Sequence, residues 1–328
     1  MRFEELAALE ANGTVLAHSH HVGPGRIVKK GRLLTTEDCH VLAEAGIARV
    51  TVARLDEEDL GEDEAARRVA AAIAGPHLTL PRPTTGRANL FSEVRGLLLV
   101  SRAGVDEVNG IDEAITVATA PEFSRVEAGE LLATVKIIPF AVPASLVARA
   151  CESARARTPL LEVAPLVPRR AGLVLTTLPG VHPELLERAV ESQRRRLDRL
   201  GSAMIREVYV PHDASSVARA LAALVDEGLD LLLVLGASAI VDRRDVIPVA
   251  IERIGGVVDH LGMPVDPGNL LLLGHKGEVP IVGVPGCARS LRASGFDWVL
   301  ERIAANLPVG RAEIVRFGVG GLLTRDAK

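Results

Sequence analysis

Residues 231–248, LLLVLGASAIVDRRDVIP, hold the types and spacing best suited to chemistry. An apolar run ending at Gly236 reads as a buried strand of a parallel sheet. Gly236, Ala237, Ser238 and Ala239 then form a turn with almost no side chain. A ligand's polar groups can approach such a backbone closely. Asp242 and Asp245 follow, and a helix-like segment begins. Ligands of open α/β sheets lie in loops of this kind, where strands end. Backbone donors leading into a helix N-terminus suit a phosphate, because donors and dipole both favour an anion. Ser238 adds a hydroxyl donor. The plainer alternative is a small-residue turn that only redirects the chain.

Other polar residues invite chemistry more weakly. His18, His20 and His21 suggest a metal, yet on a strand His18 and His20 share one face and His21 the other. No nearby cysteine or paired carboxylate completes a ligand set, so a polar strand end is expected. Arg87, Asn89, Asn109 and Asp112 are pointed polar residues without a motif. Lys136 stands inside the apolar run TVKIIPF, where it either snorkels to the surface or meets an anion. Arg194, Arg195, Arg196 and Arg199 spread round a helix, either as a solvated face or as a phosphate clamp. Cys287 is expected to be a small buried residue rather than a reactive thiol. No Ser-His-Asp or Cys-His arrangement stands out, and neither GxxxxGK[ST] nor a GxGxxG after a strand occurs.

The elements that must position these groups are set by length and composition. The 328 residues suggest two or three domains, and 48% hydrophobic with 24% charged residues describes a globular chain with ample core. Aromatics are only 2%, so the core is aliphatic and stacking platforms for single-stranded nucleic acid are absent. With a net charge of −4, nucleic acid is not an expected partner. Three cysteines, far apart and odd in number, imply no disulfide framework and fit a reducing cytoplasm. The acidic N-terminus lacks an apolar signal core, and no run is long enough to span a bilayer. A soluble, cytoplasmic protein is expected, with no membrane partner.

Three units are expected. Residues 1–75 read as α+β: strand GTVLAHSHHV, a Gly-Pro-Gly turn, a return strand, a helix opened by Thr35 or Thr36 and stopped at Gly46, strand IARVTVARL, and an alanine-rich helix. Residues 76–142 read as a small β-rich unit. From residue 143 a helix leads into alternating strands and helices, with strands at 160–166, 172–177, 204–210, 230–236, 269–274 and 279–285. Helices lie between them at about 182–200, 214–227, 244–254 and 290–305. Such alternation implies an α/β fold with a mostly parallel sheet and helices on both faces.

At this point the third unit resembles the molybdopterin-binding domain of molybdenum-cofactor biosynthesis proteins. The matching residues are GLVLTTLPG with Thr176 and Thr177, VYVPHDASSVARAL with Asp213 in the place of an acidic loop, and Gly236–Ala239 in the place of a GGTG turn. Asp245 follows after five residues, then Ile247-Pro248. VDPGNLLLLG and VPGCARS, with Pro285, Gly286 and Ser290, resemble later segments of the molybdotransferase branch. Residues 1–75 look like an adjunct region. Segments such as GRANLF, TVKIIPFAV and GVGGLL are similar to the molybdopterin-binding part of bacterial fusions with a nucleotidyltransferase, although no second nucleotide-binding motif is present. Departures are Ala237, Ala239, Cys287 and Ala288; each added methyl in the turn narrows the backbone cradle.

The resemblance implies molybdopterin as substrate or ligand. Thr176, Thr177, the 236–239 turn, Asp242, Pro285, Gly286 and Ser290 would line its site. Asp245 would act as the catalytic carboxylate, hold Mg²⁺ bridging the phosphates of ATP or CTP, or accept pterin N–H groups. Its plain alternative is a first-turn Asp that stabilises the helix dipole. The implied activity is a transferase that presents the pterin for molybdate insertion or nucleotide attachment. A non-catalytic carrier or sensor, handing cofactor to a separate nucleotidyltransferase or molybdoenzyme, is the alternative. A homo-oligomer, most simply a dimer, is implied. An α/β hydrolase would need a base–nucleophile pair that the sequence does not display.

Overall fold

The computed structural model describes residues 1–157, 159–180 and 182–323. Among these, no helix is long and apolar enough to cross a membrane. The chain divides into two compact units, Met1–Val163 and Ala164–Lys328.

The first unit opens with antiparallel strands Arg2–Ala7, Val15–Leu16 and Arg49–Arg54. With the helix Thr36–Glu44 they enclose Leu16, Leu34, Leu42, Val50 and Val52. Thr35 caps that helix: its hydroxyl accepts from the Asp38 amide at 3.2 Å, and the Asp38 carboxylate accepts from the Thr35 amide at 3.1 Å. Gly46, at φ +80°, follows the helix end. The long strand expected over 13–22 is instead two short pieces, Val15–Leu16 and His20–Gly23.

The helix Glu62–Ile73 packs beyond its own segment. With Ala144–Ala156 it lies against strands Arg87–Ser92 and Leu131–Ile137, burying Ala66, Val69, Ala70 and Ile73 with Val135 and Ile137. The boundaries expected at 75 and 142 therefore fall inside one packed unit. The strand expected at 160–166 also differs in place. It forms at Leu161–Pro165 but belongs to the sheet of Gly96–Val100, where Ser101 N donates to Leu160 O and Gly75 N to Leu161 O, both at 2.8 Å.

The second unit is the expected α/β layer structure. Its six-stranded sheet runs, edge to edge, Ala203–Pro211, Arg170–Thr177, Leu231–Leu235, Val279–Gly283, Leu272–Lys276 and Val257–Leu261. The first four strands are parallel, and the last two turn antiparallel. Period-2 alternation sorts side chains to two faces. Leu173, Leu175, Leu233 and Leu235 pack with Ala189, Leu197, Phe296, Val299 and Leu300 of helices Pro183–Asp198 and Gly295–Ala304. Val174, Leu232 and Val234 pack with Val217, Leu221, Ile247 and Ile251 of helices Ala214–Asp226 and Val246–Arg253. Because Leu231–Leu235 is buried on both faces, its sequence is continuously apolar rather than alternating.

Leu233→Ala tests this layering. It removes a fully buried side chain from the central strand, so denaturant unfolding should show a loss of about 3 kcal/mol. A loss below about 1 kcal/mol would contradict the packing described.

Candidate functional site

The loops at the carboxyl ends of the parallel strands meet around Gly236. Thr176 ends one strand, His212 follows the next, and the 236–239 turn follows the third. Thr176 is buried, His212 half-buried and Ser238 exposed. The Ala237 amide donates to Thr176 Oγ1 at 2.7 Å. Thr176 Oγ1 also lies 2.7 Å from His212 Nδ1, and His212 Nε2 lies 3.0 Å from Ser238 Oγ. A hydroxyl–imidazole–hydroxyl chain thus runs from the core to the surface of the turn.

Gly236 is required where it stands. A Cβ there would lie 2.6 Å from the Ser238 carbonyl oxygen and 3.1 Å from Ile247 Cδ1. With Ala237 N engaged, the amides of Ser238 and Ala239 make no hydrogen bond to another described residue. Both residues are exposed, so these amides and the Ser238 hydroxyl are the turn's candidate anion donors.

Asp245 caps the helix Val246–Arg253. Its carboxylate accepts from the Val246 amide at 2.7 Å and, more weakly, from the Val241 amide at 3.4 Å. The dipole end of that helix is therefore answered by the chain's own carboxylate. Asp242 faces Arg244, which donates Nε and its backbone N–H, each at 2.8 Å. The Arg244 side chain and amide hold the Asp242 carboxyl below the usual carboxylate range. Asp213 caps the helix Ala214–Asp226 through the Ser215 and Ser216 amides at 3.0 and 2.9 Å. These bonds, Ser216's first, hold its carboxyl low as well. Thr177 is half-buried, with its hydroxyl 3.4 Å from the Val210 carbonyl oxygen.

The 285–290 loop is tied to the turn by Arg289, whose Nη2 donates to the Gly236 carbonyl at 2.6 Å. Pro285 is buried and precedes the short helix Gly286–Arg289, whose Gly286 is exposed. Ser290 is turned to its own loop, donating to Cys287 O at 3.3 Å. It lines a shallow cleft of about 480 Å³ with Glu187, Arg188, Glu191, Arg195 and Arg289.

Arg196 departs from both sequence readings. It is neither solvated nor a phosphate clamp, being 3% exposed. Nε donates to Asp297 at 2.7 Å, Nη1 to Ser192 Oγ and Ala288 O at 2.7 and 2.9 Å, and Nη2 to Ser290 O and Arg292 O at 2.7 and 3.0 Å. Arg194 and Arg195 are exposed and pair with Glu207 and Glu191 at 3.1 and 2.7 Å. Cys287, expected to be buried, is exposed. Lys136 is engaged within the chain: Nζ donates to Thr85 O at 2.6 Å and lies 3.6 Å from Glu62. Asn109, though exposed, is engaged within the chain, its side chain bonded to Val117 N and O at 2.7 and 2.9 Å. His20 and His21 lie on a short hairpin strand after His18, and no cluster of three metal-binding side chains occurs among the described residues.

His212 and Arg289 were not singled out by sequence. His212 has one signal, its place beside Asp213 at a strand's carboxyl end. Arg289 has none, since its role depends on a contact 53 residues away in the chain.

The unit defined here is an α/β domain with an exposed small-residue turn at the carboxyl end of its parallel strands. Residues 5–54, in the other unit, match a family model described as a domain of unknown function (DUF8806). No curated protein matches the chain. Among solved structures, the molybdopterin biosynthesis MoeA protein of Pyrococcus horikosii is 11% identical, covering 93% of this chain and 75% of its own, at TM-score 0.33. The molybdopterin biosynthesis enzyme MoaB of Thermus thermophilus is 20% identical, covering 43% of this chain and 98% of its own, at TM-score 0.33. A molybdopterin biosynthesis protein from Mycobacterium abscessus is 19% identical, covering 42% and 92%, at TM-score 0.28.

Gly236→Ala probes the turn. The clash with the Ser238 carbonyl must push the turn outward and break the Ser238–His212 contact, while the sheet below persists. Amide proton exchange should quicken at Ala237, whose N–H is held by Thr176, and remain slow at 231–235. Unchanged exchange in the turn would contradict the close approach.

Proposed function

We propose that this chain binds molybdopterin in molybdenum-cofactor biosynthesis, with the terminal phosphate on the Ser238 and Ala239 amides and the Ser238 hydroxyl. The observation that carries the reading is the open turn itself, whose exposed, unengaged donors stand where the sequence resembles the GGTG turn of molybdopterin-binding domains. An anion gains from several such donors converging on one point. Thr176 positions the turn by accepting from Ala237, and Pro285 and Gly286 border it through Arg289. The carboxylates of Asp242 and Asp245, which follow the turn in the chain, would accept pterin N–H groups. The protein would work in the cytoplasm, most simply as a homodimer, and would pass its ligand to a separate nucleotidyltransferase or molybdoenzyme.

The donor set for Mg²⁺ is thin. Asp242 is engaged by Arg244, so Asp245 would be its principal protein carboxylate, and the phosphates of ATP or CTP would supply the remaining oxygen ligands. Bound there, the ion would neutralise phosphate charge. Holding it would draw Asp245 away from its helix cap.

A specific observation favours the second reading, a carrier without turnover. The carboxylate on which transfer would depend is already committed to capping. The turn also carries methyls at Ala237 and Ala239 that tighten the approach to a transferring group.

Titration with molybdopterin, alone and with Mg²⁺-ATP or Mg²⁺-CTP, tests both. Asp245→Asn keeps a good cap and removes the charge; Asp245→Ala loses the cap and should cost about 1 kcal/mol of stability. A transferase consumes nucleotide as wild type and loses that consumption in Asp245→Asn with pterin binding kept. A carrier binds pterin in both and consumes none. Absence of pterin binding by the wild type overturns the reading.

A further inference from the structure

Thr176, His212 and Ser238 form a proton-ordered chain, and its direction follows from counting donors. Thr176 Oγ1 accepts the Ala237 N–H at 2.7 Å. Thr176 is only 2% exposed, and His212 Nδ1, at 2.7 Å, is the acceptor bonded to its hydroxyl among the described residues. A buried hydroxyl proton left without an acceptor is costly. The Thr176 O–H therefore donates to Nδ1, and the neutral imidazole carries its proton on Nε2. That Nε2–H donates to Ser238 Oγ at 3.0 Å. With its oxygen accepting, Ser238 turns its own proton outward, beside the open Ser238 and Ala239 amides.

We infer that His212 is a positioning residue that occupies one lone pair of Ser238 Oγ and so directs the Ser238 proton outward, favouring a phosphate oxyanion at this end of the turn. This rests on the phosphate-binding reading of the turn and deepens it by fixing which end of a ligand faces Ser238. Phosphate, a pure acceptor when ionised, meets three donors. The same ordering separates the site from a serine hydrolase. There a carboxylate accepts the Nδ1 proton and leaves Nε2 free as a base; here a threonine donates to Nδ1 and Nε2 is already protonated. His212 does not activate Ser238 as a nucleophile.

The test is a double-mutant cycle read by calorimetric titration with inorganic phosphate, on wild type, Ser238→Ala, His212→Phe, His212→Gln and the Ser238→Ala/His212→Phe double variant. Circular dichroism checks each fold. His212→Phe should weaken phosphate about tenfold, the cost of misdirecting one hydrogen bond to a charged group. His212→Gln, whose amide N–H can still reach Ser238, should recover most of that loss. In the Ser238→Ala background His212→Phe should change affinity by less than about twofold, because the residue acts through the hydroxyl. A merely structural histidine would give losses that add. Additive losses, an unaffected His212→Phe, or no phosphate binding by the wild type would each overturn the inference. A parallel titration with molybdopterin separates the two claims: phosphate coupling as described without pterin binding removes the molybdopterin reading and leaves the ordered chain standing.

Discussion

Everything in the candidate site depends on the chain turning away from the sheet at Gly236 with no side chain there. The Ser238 carbonyl folds back to within 2.6 Å of where a Cβ would stand. That close return places Ser238 Oγ beside His212 and leaves the Ser238 and Ala239 amides without a partner among the described residues. The strand beneath is held rigidly by burial on both faces, so the turn cannot relax by shifting the strand. Its open donors are local consequences of one missing methyl above a packed sheet.

The loop opposite is fixed by a different device. Arg196 reaches from the helix Pro183–Asp198 into the 288–292 segment and donates to three of its carbonyls and to Asp297. Gln193 and Ser192 add donors to the same Ala288 carbonyl at 2.7 and 3.3 Å. A buried guanidinium with all its donors met holds such a segment in place, and removing one side of a pair of this kind costs about 3–5 kcal/mol. From that anchored loop Arg289 reaches the Gly236 carbonyl. The core thus supports the turn twice, through Gly236 and through Arg196.

Much of the second unit was legible because each strand ends in a glycine, proline or polar break and each helix buries one stripe. The 231–236 strand, the Asp213 and Asp245 positions at helix starts, and the mostly parallel sheet follow from those local signals. The antiparallel strand Val257–Leu261 was not legible, since Asp259 and His260 interrupt its apolar run and Asp259 is engaged by His275 at 2.8 Å. The unit boundary was missed for a related reason. Pro76, Pro81 and Pro83 resemble a linker, yet Gly75 N and Val163 N are bonded across it to Leu161 O and Pro76 O. Long-range pairing overrides local composition. The site shows the same limit. Ser238 was visible as the polar member of a small turn. His212 becomes meaningful only when three strand ends converge, and Arg196 hid in an arginine run that looks solvated.

The most direct measurement is an amide chemical-shift titration of the isotopically labelled protein with molybdopterin. Binding at the turn predicts the largest shifts at Ser238 and Ala239, smaller ones at Gly236, Asp245 and Arg289, and little change in the Met1–Val163 unit. Saturable binding with the largest shifts elsewhere, and none at Ser238 or Ala239, would contradict the account.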